Sequence, residues 1–137
     1  MIALLPIRPK YVDEILSGNK KVEFRRTKFK RDVRYIVIYA CYPVKKIVGY
    51  FDVEMIDDTT PQMAWDNYGS VGSIDQDSFN DYYKGSERAY VIGIDEVVCF
   101  DNHLSLSDIC TELQAPQSYR YLSTALFEKA KMEGSRI

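Results

Sequence analysis

The spacing of apolar positions divides the first half of the chain into a strand, a helix and three further strands. Residues 2–7 form a short apolar run, which predicts a strand. Residues 8–18 predict a helix, with Pro9 suited to its first turn and Gly18 to its stop. Residues 20–27 alternate between apolar and polar positions, as in a half-buried strand. Two more strands are predicted at 34–41 and 46–56, with a turn between them.

The second half is more polar and combines short helices with one long strand. Residues 57–87 contain two helical candidates, at 60–66 and 73–85, and Ser73 suits the N-cap of the second. Residues 88–100 carry the best strand signal in this half, long enough to bend or to be two strands. The remaining elements are a short helix at 104–110 and a closing helix from about Ser118.

The order of these elements indicates the fold class. Strands that follow one another with little helix between them cannot form an all-parallel sheet, because parallel neighbours need long crossover connections. The pattern contains no internal repeat and no linker, and 137 residues is the usual length of one domain. We therefore predict an α+β fold in a single domain over residues 1–137. Its mixed or mostly antiparallel sheet is expected to curl into a β-barrel with peripheral helices.

Positive charge is concentrated in one segment of a slightly acidic chain. The net charge is −2, yet residues 18–34 hold eight basic residues against two acidic ones. An acidic body with one basic face binds phosphate locally and repels it elsewhere. A solvated charged hairpin without a partner is the alternative, since charge runs are usually surface features. The eight basic residues are Lys20, Lys21, Arg25, Arg26, Lys28, Lys30, Arg31 and Arg34.

The cysteines and the single histidine argue against disulfides and against a metal site. Cys41, Cys99 and Cys110 show no CxxC spacing, and the first two lie in apolar runs typical of small core residues. His103 stands alone, so neither zinc nor another cofactor is expected. The first apolar run ends at Ile7, too early for a signal peptide, and no stretch reaches the length of a membrane span. We expect a cytoplasmic protein that does not contact a membrane.

Gly18, Lys20, Glu23 and Arg25 form a G-x-K-x-x-E-x-R spacing where the first helix meets the second strand. Strand alternation places Glu23 and Arg25 on one face. Lys20 falls on the other face of an ideal strand, but it directly follows the Gly18 turn, so all three side chains can converge on a cleft. A carboxylate there can orient the arginine or accept hydrogen bonds from the exocyclic amine of a base. The simpler interpretation is a surface ion pair, which contributes little.

Three blocks of the sequence resemble the ASCH domain family (activating signal cointegrator homology), within the PUA-like superfamily. They are LLPIRPKYVDEILSGNKKVEFRR, VIYACYPVKKIVGYFDVE and APQSYRY. The resemblance extends over essentially the whole chain. More narrowly, the EFRR strand and the PVKK-x-VG element are similar to the prokaryotic and phage branch. The resemblance implies a PUA-like barrel with a helix after the first strand. It also implies a regulatory role, because some members carry an added helix-turn-helix.

The resemblance further implies RNA or another single-stranded nucleic acid as the ligand, held in a cleft beside the first helix. A narrow cleft cannot read a duplex, so a single-stranded or flipped nucleotide is expected there. Basic neighbours, including Lys30 and Arg31, would attract and position the phosphate backbone. The expected binding residues are Lys20, Lys21, Glu23, Arg25, Arg26, Lys28, Lys45, Lys46, Gln117 and Ser118.

Some of these candidates have a simpler structural role. Ser118 suits the N-cap of the closing helix, with Gln117 in its lead-in. Trp65 and the Tyr82–Tyr83 pair can stack on a base, but a lone tryptophan on a short helix usually packs in the core.

Catalysis is the alternative to simple binding. The chain can be a small hydrolase, either a ribonuclease or an amidohydrolase similar to the ASCH proteins that deacetylate acetylated cytidine. Lys20, Glu23 and Arg25 would then be the catalytic residues. Those amidohydrolases have a threonine near the position of Glu23 and a later carboxylate that has no clear match here. A module that docks an acidic protein is a third class. We expect a binding module rather than an enzyme.

Overall fold

The computed structural model describes residues 1–135 as one six-stranded sheet with helices on both faces. The strands are β1 (Ile2–Ile7), β2 (Val22–Arg25), β3 (Tyr35–Ala40), β4 (Lys46–Thr59), β5 (Ala89–Leu104) and β6 (Arg120–Leu122). The helices are α1 (Pro9–Leu16), α2 (Pro61–Tyr68), α3 (Gln76–Tyr83), α4 (Leu106–Ile109) and α5 (Thr124–Gly134), with a 3₁₀ turn at Gly69–Val71.

The sheet is mixed and mostly antiparallel, which confirms the predicted α+β class. Its strand order is β2-β5-β4-β3-β1-β6. Within the described residues, β1 and β3 are the one parallel pair, and they are joined by a crossover that contains α1 and β2. The predicted barrel closure is wrong for the described residues. The edge strands β2 and β6 pair only with β5 and β1, and closure would require these two short edges to pair with each other.

Strand β1 lies inside the sheet and separates two apolar layers. Ala3, Leu5 and Ile7 pack on one face with Val12 and Ile15 of α1. The alternate residues of β1 pack on the other face, against α4 and α5. A strand buried on both faces reads as a continuous apolar run, and this explains the IALLPI sequence.

A third cluster attaches α2 and α3 to the β2 edge of the sheet. Phe24 of β2 meets Phe79 of α3 edge to face, with ring centroids 5.0 Å apart. Trp65 of α2 packs against the same Phe79 at 5.1 Å, so it has the predicted core role. These contacts hold the polar 57–87 segment against the strand that carries Glu23 and Arg25.

The turn after α1 has the geometry that the sequence predicted. Pro9 is the first residue of α1, and Gly18 ends the helix with φ +85°, a left-handed conformation that favours glycine. The chain then folds back, and the backbone N–H of Lys20 donates to the carbonyl of Glu14 at 2.9 Å. This irregular backbone turns Lys20 toward the same side as Glu23.

The closing helix begins later than predicted, at Thr124, and its N-cap is Ser123 rather than Ser118. The Ser123 hydroxyl accepts a hydrogen bond from Leu126 N–H at 3.1 Å. Residues 120–122 form β6 instead of helix, because they pair with Ile2–Leu4 of β1. The pairing joins residues more than a hundred positions apart, so local spacing could not reveal it. Helix α3 likewise starts after Asp75, which caps it, and not at Ser73.

We predict that Gly49→Ala destabilises the fold by about 1–3 kcal/mol, because it forces atoms into filled space. A Cβ at Gly49 would meet the backbone carbonyl of Val98 in β5, which cannot move aside alone. Urea unfolding followed by circular dichroism should show a lower midpoint. Gly93→Ala is the matched control, since its Cβ would meet mainly the flexible Met55 side chain. Equal effects of the two substitutions would contradict this account.

Candidate nucleic-acid interface

A cleft of about 590 Å³ opens where the end of β1, the first turn of α1, β2 and α3 meet. Its lining includes five basic residues and two acidic ones. Aromatic rings, a thiol and an amide complete the wall, from Tyr11, Tyr82, Cys41 and Gln117. The basic residues are Arg8, Lys10, Lys20, Arg25 and Arg26, and the acidic ones are Glu23 and Asp81.

Lys20 lies at the base of the cleft and is almost fully buried, with 2% of its surface exposed. Its ammonium donates to the carbonyl of Gly72 and lies 3.6 Å from Oε1 of Glu23. The rings of Tyr11 and Phe24 flank it at 5.1 and 5.3 Å. Burial lowers the pKa of Lys20, and the interaction with Glu23 opposes that shift. The ammonium therefore depends on Glu23 to remain charged.

Glu23 and Arg25 form a buried pair rather than the surface ion pair of the simpler interpretation. Oε2 of Glu23 lies 3.3 Å from Nη1 of Arg25, and the two side chains are 7% and 16% exposed. Arg25 also donates to the carbonyl of Pro6 and to the carbonyl of Ser118, each at 3.1 Å. The guanidinium is thus fixed at three points, and it joins β1, β2 and the segment before β6.

The mouth of the cleft presents exposed cations beside an aromatic ring. The guanidinium of Arg26 lies 4.8 Å from the ring centroid of Tyr82. Arg8, the N-cap residue of α1, and Lys10, in its first turn, are exposed and also line the cleft. Tyr83 instead points inward, where its hydroxyl donates to the carbonyl of Arg25 at 2.9 Å, and burial raises its pKa. Of the two tyrosines, only Tyr82 lines the cleft.

Cys41 lines the cleft and Cys99 is exposed, so the prediction that both are core residues is wrong. Cys41 is half-buried just after β3, and its backbone N–H donates a hydrogen bond to the carbonyl of Ile7. Burial raises the pKa of its thiol, although Arg25 and Arg8 act in the opposite direction. Apolar neighbours in sequence misled the prediction, because both residues lie where a strand ends or bends away from the core.

Of the predicted binding residues, five lie together at the cleft. They are Lys20, Glu23, Arg25, Arg26 and Gln117. The backbone carbonyl of Ser118 accepts a hydrogen bond from Arg25. The predicted role of Ser118 as a helix cap belongs to Ser123 instead.

Besides Ser118, four predicted residues lie outside the cleft lining. Lys21 is exposed, and its backbone bonds to Val71 and Ile94. Lys28 pairs with Asp58 at 3.6 Å. Lys45 and Lys46 lie at the turn before β4, where the Lys46 ammonium donates to the hydroxyl of Ser105 at 2.8 Å. The basic residues of the sequence therefore do not form one continuous surface around the cleft.

The sequence interpretation did not assign Arg8, Lys10 and Tyr11 to the cleft, although all three line it. The signal was present, since Pro9 marks the helix start directly after β1. Residues three apart on a helix share a face, so Arg8 and Tyr11 could have been placed together above the β1 end.

Within residues 1–135, no three His, Cys, Asp or Glu side chains are grouped so that they could hold a metal ion. None of the helices in that range combines the length and the apolar character needed to cross a bilayer.

We predict that Glu23→Gln lowers the free energy of unfolding by about 3–5 kcal/mol at neutral pH, because it leaves buried cations without their carboxylate. The loss should shrink as the pH rises from neutral toward the lysine value of about 10.4. Glu23 raises the pKa of Lys20 in the wild type, so burial lowers that pKa further in the variant, and the buried ammonium releases its proton at a lower pH. Where the variant alone has released this proton, its unfolded chain binds one proton more than its folded chain, so the stability of the variant rises with pH. Denaturant titrations at several pH values measure this trend.

Glu128→Gln is the matched control, because Glu128 forms an exposed ion pair with Lys131 and its loss should change little. A Glu23→Gln deficit that stays constant with pH would contradict the assignment of Lys20.

Comparison with known proteins identifies the relatives of this chain. A protein from Zymomonas mobilis described as an ASCH domain-containing ribonuclease is 30% identical over 123 residues, which cover 88% of this chain and 83% of the relative. The crystal structure of ASCH from Zymomonas mobilis superposes with a TM-score of 0.86 at 28% identity, covering 93% of this chain and 92% of that one.

A more distant similarity is to the N-terminal domain of Staphylothermus marinus McrB. Its TM-score is 0.61 at 8% identity, over 93% of this chain and 91% of that one, so it shows a shared fold alone. The ASCH domain model matches residues 5–101. On that match, the chain belongs to the ASCH domain family.

Proposed function

We propose that this protein binds single-stranded RNA and holds one nucleotide in the cleft. The observation that carries the proposal is the charge of the cleft, where five basic side chains meet only two carboxylates in a chain of net charge −2. Such a local excess attracts a phosphate backbone while the acidic remainder repels it.

The size and lining of the cleft fit one unstacked nucleotide. Its volume of about 590 Å³ lies within the usual range for small-molecule sites, roughly 300–1,000 Å³. Tyr82, with Arg26 over its ring, offers a surface on which a base can stack. The exposed Arg8 and Lys10 can contact the phosphates on either side.

The buried ion network can recognise the base edge. Glu23 provides acceptor oxygens, as carboxylates do for exocyclic amines. Arg25 is held by the carbonyls of Pro6 and Ser118, so its guanidinium is already ordered before a ligand arrives. Gln117 is exposed at the rim and offers both a donor and an acceptor. The ribonuclease description of the Zymomonas mobilis relative supports RNA as the polyanion.

We predict that Arg8→Ala and Arg26→Ala each weaken binding of a fluorescent single-stranded RNA pool about five-fold at about 0.1 M salt. Each should lower the slope of log affinity against log salt by about 0.7, because one phosphate contact is lost. Fluorescence anisotropy across a salt series measures both effects. Lys129→Ala removes an exposed charge on α5, away from the cleft, and serves as control. If Arg8→Ala, Arg26→Ala and Lys129→Ala weakened RNA binding equally, the cleft would be ruled out as the binding site.

Ribonuclease activity is the second candidate function. It is favoured by the 30% identical relative described as a ribonuclease and by the position of Lys20, whose pKa is lowered by burial beside Glu23. An amine of this kind can exchange a proton closer to neutral pH than an exposed lysine can. Arg25 next to it can stabilise negative charge that develops on a phosphate.

If the protein is a ribonuclease, Lys20→Met should reduce cleavage of the RNA pool by about 10²–10⁴-fold, the usual contribution of an acid–base group. Gel electrophoresis of end-labelled RNA measures the rate, and a thermal melt shows whether the variant remains folded. Arg26→Ala is the comparison, expected to weaken binding with less effect at saturating protein. RNA left intact by the wild-type protein would rule out this candidate and leave the binding proposal standing.

A further inference from the structure

A second groove of about 720 Å³ lies beside the cleft, between the loop that joins β2 to β3 and the far half of β4. It shares no lining residue with the cleft. One wall is the loop of residues 28–33. The floor and the opposite wall come from residues 53–56 and 58 of β4 and from Tyr90 of β5. Strand β3 begins opposite Asp52 of β4, so it does not extend along the remainder of β4. That remainder is paired with β5, and the groove lies beside it.

The loop wall is fixed in place although it has no regular structure. The backbone N–H groups of Lys30 and Arg31 both donate to the hydroxyl of Tyr121, each at 3.0 Å. Phe29 packs edge to face on Tyr119, with centroids 4.7 Å apart. These contacts involve the backbone of Lys30 and Arg31 and the ring of Phe29. The cationic side chains of Lys30 and Arg31 therefore remain exposed. Across residues 1–135, neither of these two side chains forms an ion pair.

The opposite wall and the floor have a different chemistry. The floor is apolar and contains Val53, Met55 and Ile56, the last 39% exposed. Glu54 is exposed on the β4 wall. Asp58 is already neutralised, since Arg88 and Lys28 lie 2.9 and 3.6 Å from its carboxylate. Asp32 also lies on the loop wall, which keeps a net positive charge because Lys28, Lys30 and Arg31 outnumber it. The groove is therefore net basic on one side, apolar beneath and acidic on the other side.

This asymmetry matches a nucleic-acid strand whose bases are unpaired. Phosphates are held by arginine and lysine, bases rest on apolar or aromatic surfaces, and a carboxylate accepts hydrogen bonds from exocyclic amines. In the groove, Lys30 and Arg31 can hold the phosphates, and the apolar floor with Tyr90 can support the bases. Glu54 can accept hydrogen bonds from the exocyclic amines. A uniformly basic patch would hold phosphate without a place for the bases.

The groove also continues the cleft along the chain. Arg26 lines the cleft and Lys28 lines the groove. Two residues of extended chain span at most about 7 Å. Successive phosphates of a stretched strand are separated by a comparable distance, so a strand leaving the cleft over Arg26 reaches Lys28, at the edge of the groove, after about one nucleotide. Lys30 and Arg31 lie further along the loop, so about one nucleotide more is needed to reach them.

We propose that this groove is a second RNA subsite, which holds the nucleotides adjacent to the one in the cleft. The inference rests on the proposed function and adds to it a binding site of several nucleotides with a defined path. Binding to long RNA therefore uses Lys30 and Arg31, whereas a dinucleotide with one nucleotide in the cleft does not reach these two side chains.

The test measures affinity against RNA length for the wild-type protein and for Lys30→Ala/Arg31→Ala. The probes are fluorescent random-sequence RNAs of two, four, six and ten nucleotides. We expect the wild-type affinity to rise with length. The double variant should bind the dinucleotide as the wild type does, but bind the longest RNA about 25-fold more weakly at about 0.1 M salt, as two lost phosphate contacts predict.

Two controls separate the groove from general electrostatics and from the cleft. Lys84→Ala/Lys129→Ala removes the same charge at exposed positions outside both linings and should leave the length dependence unchanged. Arg8→Ala/Arg26→Ala should weaken binding at every length, including the dinucleotide.

The outcomes distinguish the two proposals. Wild-type affinity that does not rise with length, or equal losses in the Lys30/Arg31 and Lys84/Lys129 variants, overturns the groove and leaves the cleft standing. An Arg8/Arg26 variant that binds the dinucleotide normally overturns the cleft. Failure of every RNA to bind overturns both. A loss confined to long RNA in the Lys30/Arg31 variant supports the second subsite.

Discussion

The carboxylate of Glu23, held between the ammonium of Lys20 and the guanidinium of Arg25, is the interaction on which the site depends. Through these two cations it connects four parts of the chain. Lys20 reaches Gly72 before α3, and Arg25 reaches Pro6 at the end of β1 and Ser118 before β6. Each partner is a backbone carbonyl, so the network fixes the path of the chain as well as the position of side chains.

A buried ion network of this kind is a poor source of stability. Removing charges from water costs several kcal/mol per ion, and well-packed apolar side chains are often as stable. The presence of this ion network in the cleft therefore needs an explanation other than stability. Charged groups with shifted pKa values in a cleft are typical of functional sites, and Lys20 meets that description through burial and geometry together. The stability of the fold comes from the apolar layers on the two faces of β1.

Local patterns predicted the elements well and their long-range pairing less well. The helix start at Pro9 and its stop at Gly18 follow from backbone preferences of single residues, so the sequence revealed them. The convergence of Lys20, Glu23 and Arg25 followed from that stop and from strand alternation. Strand β6 was missed because its pairing with β1 depends on residues far away, while Leu122 and Leu126 match a helical spacing. The open sheet and the separate groove were missed for the same reason, since both depend on where β3 begins opposite β4.

The hydrogen bond from Arg25 to the carbonyl of Ser118 has a consequence for the order of events during synthesis. Segments that meet across so many residues come together late, because the loop between them must close first. A nascent chain emerges from its N-terminus, so the cationic segment around Arg25 leaves the ribosome long before Ser118 and β6 do. The cleft can therefore be completed only after Ser118 and β6 have emerged, and until then Arg25 lacks one of the three carbonyl and carboxylate partners that fix it.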